Sequence, residues 1–367
     1  MSLTRSIQGA FKRLLTKPLD RHYAVIMAGG RGERFWPLSR EKRPKQLLRL
    51  IGKQSLLEST INRLRGVVPA GHIWIITNRQ QAPAIRALLP RIPDRQIIAE
   101  PEGRDSAGAV LLGAAFIGHE DPHAVIAFLP ADQFVGDESA YGAALRAAFE
   151  TASRSDSVVT LGQKPNFPHT GYGYIESGSL LRQNKTVSIR RVKQFREKPD
   201  LASAKKMVQA GDFFWNLGIF VWSLSTIKKG FQNSRPHAAA LREAIRRPSA
   251  FLSNGFTKLP KISIDYAVME KMRNILVVTG RFGWDDIGSW NALFEHLKAD
   301  SAGNILRGPV VSLDSSNCLA FAGKTTVALL GVQGLVVVQT PDAILVCDRA
   351  KGQEIKKIVA MLPKRLR

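Results

Sequence analysis

Tyr23-Ala24-Val25-Ile26-Met27 runs directly into Ala28-Gly29-Gly30-Arg31-Gly32-Glu33-Arg34-Phe35-Trp36-Pro37, and the string continues through Arg43-Pro44-Lys45-Gln46. The apolar run has the length of a buried strand. Three glycines directly behind it let backbone N–H groups approach a chain of phosphates closely. Arg34 and Lys45 supply fixed positive charge to such a chain. Between Arg31 and Arg49 there are seven Lys or Arg and two acids. Gly29, Gly30 and Gly32 are therefore candidate nucleotide-binding positions, with Arg34 and Lys45 as their cationic partners. Two better-known phosphate motifs do not apply. The dinucleotide fingerprint needs glycine at position 35, which is Phe35, and the Walker loop ending in Gly323-Lys324-Thr325 needs glycine at 318, which is Cys318.

Outward from this loop the chain alternates strand and helix signals. Ser55–Leu64 reads as a helix, His72–Thr77 as a strand and Gln80–Leu89 as a helix. Ile97–Ala99 is extended, Ser106–Gly118 a small-residue helix and Ala124–Leu129 a buried strand. Ala140–Ala152 is helical again, and Ser157–Leu161 a strand. Such alternation implies βαβ units and a mostly parallel sheet covered on both faces. Ligands of such sheets sit beyond the carboxyl ends of the strands. The loops that start at Ala28 and Pro130 both follow strand ends, so their residues are expected to face one crevice. After about residue 300 short apolar runs recur at Val310–Leu313, Leu319–Phe321, Thr326–Leu330, Leu335–Val338 and Ala343–Cys347, followed by a basic helical tail at Gln353–Leu362. This all-β piece carries no ionisable cluster and reads as a packing or oligomerisation module, with catalysis elsewhere. The division expected is a basic extension over residues 1–22, a catalytic domain over 23–300 and a small β domain over 301–367.

Composition narrows the class. The 367 residues are 44% hydrophobic and 23% charged, with no apolar stretch long enough to span a membrane. Cys318 and Cys347 lack metal-type spacing and read as reduced residues of a cytoplasmic protein. The formal net charge is +23, which attracts polyanions. The basic residues are spread along the chain without an aromatic-interleaved stripe, so a specific nucleic-acid module is not expected. Leu3, Ile7, Phe11 and Leu14 fall at helical spacing among Arg5, Lys12, Arg13 and Lys17. That pattern fits a basic amphipathic helix on an anionic membrane. It also fits a locally packed extension, the preferred reading because one short helix is a weak pattern.

The long string through Lys45 closely resembles the signature of the mannose-1-phosphate guanylyltransferase family of sugar nucleotidyltransferases. Further matching stretches follow in order: Glu100-Pro101-Glu102-Gly103-Arg104, Leu129-Pro130-Ala131-Asp132, Thr170-Gly171-Tyr172-Gly173-Tyr174-Ile175 and Phe195-Arg196-Glu197-Lys198-Pro199. Trp215-Asn216-Leu217-Gly218-Ile219-Phe220, Ser263-Ile264-Asp265-Tyr266-Ala267 and Trp284-Asp285-Asp286-Ile287-Gly288-Ser289-Trp290 complete the set. The resemblance covers about residues 23–350. It implies a GT-A-like, Rossmann-like α/β fold with a mixed, mostly parallel sheet flanked by helices and a small β-helix-like C-terminal domain. It also implies GTP and mannose 1-phosphate as substrates, with GDP-mannose and pyrophosphate as products, and Mg²⁺ or another divalent cation as cofactor; a homo-oligomer is expected.

Residue by residue, the resemblance puts Asp132 and Asp286 on the metal and Arg34, Lys45 and Lys198 in catalysis. Gly29, Gly30, Gly32, Glu100, Gly103 and Arg104 fall on the nucleotide, and Gly173, Glu197 and Asn216 on the sugar. The chemistry is consistent. Mg²⁺ takes one or two carboxylates plus substrate oxygens, and carboxylates and amides suit sugar hydroxyls. Pro199 keeps Lys198 out of the right-handed helical region. The implied reaction is in-line attack by an already ionised sugar phosphate on the α-phosphorus of the nucleotide, without a covalent enzyme intermediate. One stretch departs from the pattern. Asp105-Ser106-Ala107-Gly108 stands where the family reads Asn-Thr-Ala-Pro, in a region near the nucleotide. The choice of guanine is therefore less fixed than the reaction type, and the alternatives are another base, another sugar of heptose or glucose type, or a non-catalytic regulatory paralogue, which the presence of Lys45, Asp132, Lys198 and Asp286 disfavours. The chain also ends before the isomerase domain many relatives carry, so a single activity is expected.

Overall fold

The computed structural model describes residues 18–367. Residues 1–17, which carry nearly all of the basic N-terminal extension, lie outside the described residues. The strand of the opening string is β1, His22–Met27, and it is buried along nearly its whole length. It is flanked in parallel by β2 (Ile73–Asn78) and β4 (Val125–Pro130), and β3 (Ile97–Glu100) joins β2 in parallel. Their near-continuous apolar sequences fit strands covered on both faces. The two-residue strand β5 (Phe134–Val135) stands outside this sheet.

The rest of the sheet comes from β6 (Val158–Gln163), β7 (Gly173–Gln183), β8 (Val187–Arg196), β9 (Phe213–Ser223) and β10 (Ile275–Gly280). In the described residues the nine strands lie in the order β3-β2-β1-β4-β9-β6-β10-β8-β7. β9 runs antiparallel to β4, β6 and β7, and β8 antiparallel to β10 and β7. The other seven strands share one direction, but β8 and β9 are interleaved among them, so four pairings are parallel and five antiparallel: the sheet is mixed, and its continuous parallel part is β3-β2-β1-β4, not most of the sheet as expected. β7 and β8 are long and leave the sheet partly solvated, which is the alternating pattern an antiparallel ribbon permits.

Helices cover both faces. Leu56–Arg63 begins with a full capping box: Ser55 Oγ accepts from the Glu58 amide while Glu58 accepts from the Ser55 amide. Asp105–Glu120 is buried on most sides and packs against β1 and β4, whereas Glu138–Arg154 covers the opposite face.

After residue 300, β12 (Ile305–Arg307), β14 (Leu319–Phe321) and β16 (Leu335–Thr340) stack in parallel, with β13 (Val310–Leu313) and β15 (Val327–Leu330) stacking in parallel beside them. Consecutive strands thus alternate between two stacks, the winding of a β-helix. β11 (Trp284–Asp285) precedes them, and β17 (Ala343–Asp348) closes the stack antiparallel to β16. One apolar cluster joins this coil to the glycine loop. Phe35, Trp36, Leu48, Ile287 and Trp290 share it with Leu319, Val336, Ile355 and Val359. The coil and the α/β part therefore meet in a common core beneath the loop.

Candidate active site

The glycine loop is fixed from behind through its carbonyls. Thr77 Oγ1 and Gln46 Nε2 donate to the Ala28 carbonyl at 2.9 Å each, and Gln81 Nε2 donates to Gly30 at 3.2 Å. Ser39 Oγ donates to Gly32 at 2.8 Å. The amides of residues 29–32 find no protein acceptor among the described residues. A loop with its acceptors occupied and its donors free is a cradle for phosphate oxygens. Gly32 holds φ 63°, and a Cβ there would collide with the Lys45 side chain and backbone, so the sequence must have glycine at this position.

Lys45 is 5% exposed beneath this turn. Its Nζ lies 2.9 Å from Asp132 Oδ2 and donates to the Asp286 carbonyl at 2.6 Å. Asp132 follows the end of β4. Asp286 is carried to it by a small ribbon in which β11 pairs antiparallel with β5, Trp284 opposite Val135 and Asp285 opposite Phe134. The ribbon puts position 286 beside the turn after β4. Arg34, Lys45, Asp132 and Asp286 line one cleft of about 380 Å³ with Arg31 and Gly288. Burial pushes the Asp286 carboxyl above the usual carboxylate range. Lys45 opposes that shift, and the negative charges of Asp132 and Asp285 add to it. Arg34 Nη1 donates to the Gly288 carbonyl at 3.4 Å, and its Nε is buried without a partner.

Both carboxylates fit a divalent ion. Burial disfavours a charged Asp286, and a cation beside it would offset that cost. No group of three or more His, Cys, Asp or Glu positioned to hold a metal occurs among the described residues. Two carboxylates alone leave most of the coordination shell to water and substrate oxygens, the habit of Mg²⁺.

A second group lies beside the first. Gly173 faces Asn216 across the β7–β9 pairing. A Cβ at Gly173 would come within 2.6 Å of Glu197 Oε2 and 3.4 Å of Asn216 Cβ, so glycine, carboxylate and amide converge. Lys198 Nζ lies 2.7 Å from Glu197 Oε1, and that hydrogen bond raises its pKa. Lys198 avoids the right-handed helical region, as Pro199 requires, by adopting φ 44°. Gln133, next to Asp132, donates to the Leu217 carbonyl at 2.7 Å and so ties the two groups together. Asp265 completes the second group. Asn216 Nδ2 donates to it at 3.4 Å, and burial followed by the charge of Glu197 pushes its carboxyl up to about 6. Asp265 stands inside a quoted motif that by itself gives it no role; only the fold places it beside Asn216 and Glu197. A wider groove of about 800 Å³ runs outside Glu197, between β8 and Tyr266–Arg273, and is lined by none of Arg34, Lys45, Asp132 and Asp286.

The residues expected at the nucleotide divide. Glu100, at the end of β3, is 6% exposed and lies under Gly29, where a Cβ would stand 3.8 Å from its Oε2. Burial, then Asp105, pushes its carboxyl up to about 8, and its Oε1 has no partner. Gly103 is exposed in open space. Arg104 turns aside, paired with Glu102 at 3.0 Å and donating to the Thr257 carbonyl. Trp36, Trp215, Trp284 and Trp290 are buried, as pocket walls and core. Asp285 is engaged locally, accepting from the Ile287 amide at 2.7 Å and meeting His296 Nε2 at 2.8 Å.

A sheet ending in a glycine cradle, with a cation and two carboxylates at the strand ends, defines a nucleotide-handling transferase. Residues 23–303 match the family described as nucleotidyl transferase, and residues 308–362 match the MannoseP isomerase/GMP-like beta-helix domain. The chain belongs to the nucleotidyl transferase family and is an enzyme. Within that family it is 36% identical over 351 residues to the mannose-1-phosphate guanylyltransferase of Escherichia coli K12, covering 93% of this chain and 73% of that protein. It is 35% identical to the xanthan biosynthesis protein XanB of Xanthomonas campestris strain B100, over 92% and 72% respectively. The crystal structure of a Thermus thermophilus protein described as a mannose-1-phosphate geranyltransferase superposes with a TM-score of 0.83 at 39% identity, over 93% of this chain and 99% of that one. No described helix is long and apolar enough to cross a membrane.

Proposed function

We propose that this enzyme transfers the guanylyl group of GTP to mannose 1-phosphate, releasing pyrophosphate and forming GDP-mannose. The observation that carries the reading is the Lys45 contact with Asp132 and with the Asp286 carbonyl in the cleft under the glycine cradle. The guanylyltransferase names of relatives in Escherichia coli and Salmonella typhimurium point to the same substrates. The proposed division has residues 23–300 bearing catalysis and 301–367 forming the β domain.

The loop amides of residues 29–32 hold phosphate oxygens, and Arg34 and Lys45 take up charge that develops on the leaving pyrophosphate. Glu197, Asn216 and Asp265 exchange hydrogen bonds with sugar hydroxyls, while Gly173 leaves room for the ring and Lys198 holds the sugar phosphate. Glu100 offers a buried, partly unpartnered carboxyl to the base, and the adjacent donors on the edge of guanine would favour its ionised, acceptor-only form. Arg104 and Gly103 border that side. A divalent ion on Asp132 and Asp286, Mg²⁺ by their chemistry, would neutralise the reacting phosphates when bound. The protein's share is to bring two repelling anions together in line, since the sugar phosphate is itself the nucleophile.

The test is pyrophosphate release from each of the four ribonucleoside triphosphates, with mannose 1-phosphate, glucose 1-phosphate or a heptose 1-phosphate, in the presence of Mg²⁺. GTP with mannose 1-phosphate should be fastest. Faster turnover with another pair would replace the substrate assignment, and no turnover with any pair would end the reading.

A further inference from the structure

The phosphate cleft has one wall that does not come from the α/β part of the molecule. Lys356, on the helix Ile355–Met361 after the β-helix coil, lines the same cavity as Arg34, Lys45, Asp132 and Asp286. It also lines a smaller neighbouring cavity with Arg31, Glu33 and Trp36. The short helix is seated firmly. Ile355 and Val359, one turn apart, are buried in the core shared with Trp36 and Trp290, and Trp36 Nε1 donates to the Leu366 carbonyl at 2.8 Å just beyond the helix. Lys356 follows the buried Ile355 and is thereby placed at the cleft mouth.

The other cations of the cleft are engaged. Arg31 lies 3.7 Å from Glu33 and 3.6 Å from Glu41, Lys45 is paired with Asp132, and Arg34 reaches the Gly288 carbonyl. Glu354, on the preceding turn, is shared by Lys351 and Lys357 at 3.2 and 2.9 Å. Lys356 has neither an acidic partner nor a hydrogen bond among the described residues. An anion entering the cleft therefore meets a cation that need not break an existing pair to receive it.

We infer that Lys356 binds the β- and γ-phosphates of the nucleoside triphosphate and the pyrophosphate they become. This rests on the transferase reading above. In the transfer, an oxygen of the sugar phosphate forms a bond to the α-phosphorus. The bond from the α-phosphorus to its bridging oxygen breaks, and the electron pair leaves with pyrophosphate. Lys356 faces the departing group. The nucleotide sugar lacks that group, so its binding should not depend on Lys356. The C-terminal β-helix region thus contributes a substrate-binding residue as well as packing.

Titration calorimetry on the full chain with Mg²⁺ separates the possibilities, using pyrophosphate and GDP-mannose as ligands for the wild type, Lys356→Ala, Lys356→Arg and Lys357→Ala. Lys356→Ala should weaken pyrophosphate binding about tenfold, the size of one charge-assisted hydrogen bond, and leave GDP-mannose within about twofold. Lys356→Arg should recover most of the loss, and Lys357→Ala should behave as wild type. Unchanged pyrophosphate binding in Lys356→Ala, equal losses for both ligands, or the same loss in Lys357→Ala would overturn the inference and leave the transferase reading intact. A wild type that binds neither ligand would overturn both.

Discussion

The Lys45 ammonium sits 2.9 Å from the Asp132 carboxylate, buried beneath a glycine that leaves room for no other residue. One side chain thus supports the loop, partners the acid at the end of β4, and reaches the Asp286 backbone. Its charge is already committed before substrate arrives, which preorganises the cleft for anions.

Lys45→Met should lower kcat about 10²–10³-fold, the usual loss when one preorganised charge is removed from a closed site. Lys45→Arg should not restore it, because a planar guanidinium does not fit a slot shaped for a compact ammonium. Steady-state rates for both variants, compared at saturating Mg²⁺, decide this; near wild-type turnover in Lys45→Met would remove the lysine from the mechanism.

Glu100 gives a pH signature. Its carboxyl is raised from 4.5 to about 8 by burial and by Asp105. The folded state therefore holds a proton that the unfolded chain releases. The sign follows: its contribution to stability is full below about 4.5 and is lost as pH rises through about 8. Glu100→Gln keeps the shape without the titration, so the wild type should lose melting temperature relative to the variant between these limits. Parallel melting curves across that range would contradict the assignment. Donors of the bound base would favour the ionised carboxylate, which glutamine cannot supply, so the same variant should raise the KM for GTP about tenfold.

Gly173→Ala tests the second group. The new Cβ would stand 2.6 Å from Glu197 Oε2, forcing the carboxylate away from Asn216. The expected outcome is a rise of about tenfold in the KM for mannose 1-phosphate, with the KM for GTP nearly unchanged. Equal changes in both constants would show a general disturbance instead of a sugar contact.

Trp290 joins the glycine loop to the coil. It is fully buried, with its ring centroid 5.1 Å from that of Phe35 and 5.4 Å from that of Phe321. Trp290→Ala should cost about 3–5 kcal/mol. Because the core is shared, chemical denaturation followed by far-UV circular dichroism should show the midpoint falling for the whole molecule. A variant in which only the coil unfolds early would show that the two parts are energetically separate.

Much of the cleft beside the glycine loop could be read along the chain, because its parts are local. A buried strand followed by Gly29, Gly30 and Gly32, and a second strand ending at Pro130-Ala131-Asp132, announce a crevice at strand ends wherever the rest of the chain goes. The short runs after residue 300 likewise mark the coil, since each strand carries its own turn signals. The helices between Leu201 and Asn254, and the reversal of β8 and β9, left little trace. Those strands are directed by their partners, and apolar alternation is the same in either direction.

By itself the sequence determined the strand-and-loop order, the chemical kinds of group at each loop and the family they resemble. Tertiary structure decided which of those groups meet. The β5–β11 ribbon carries Asp286 across more than half the length of the catalytic region to Asp132, and pairing of β7 with β9 brings Gly173 to Asn216. A core shared by the two parts sets Lys356 in the cleft of Lys45 and Asp132 while Arg104 is drawn off to Glu102 and the Thr257 carbonyl. Propensity and spacing act over a few residues, whereas a charged site depends on distances across the fold, set only when the sheet and its cores are complete.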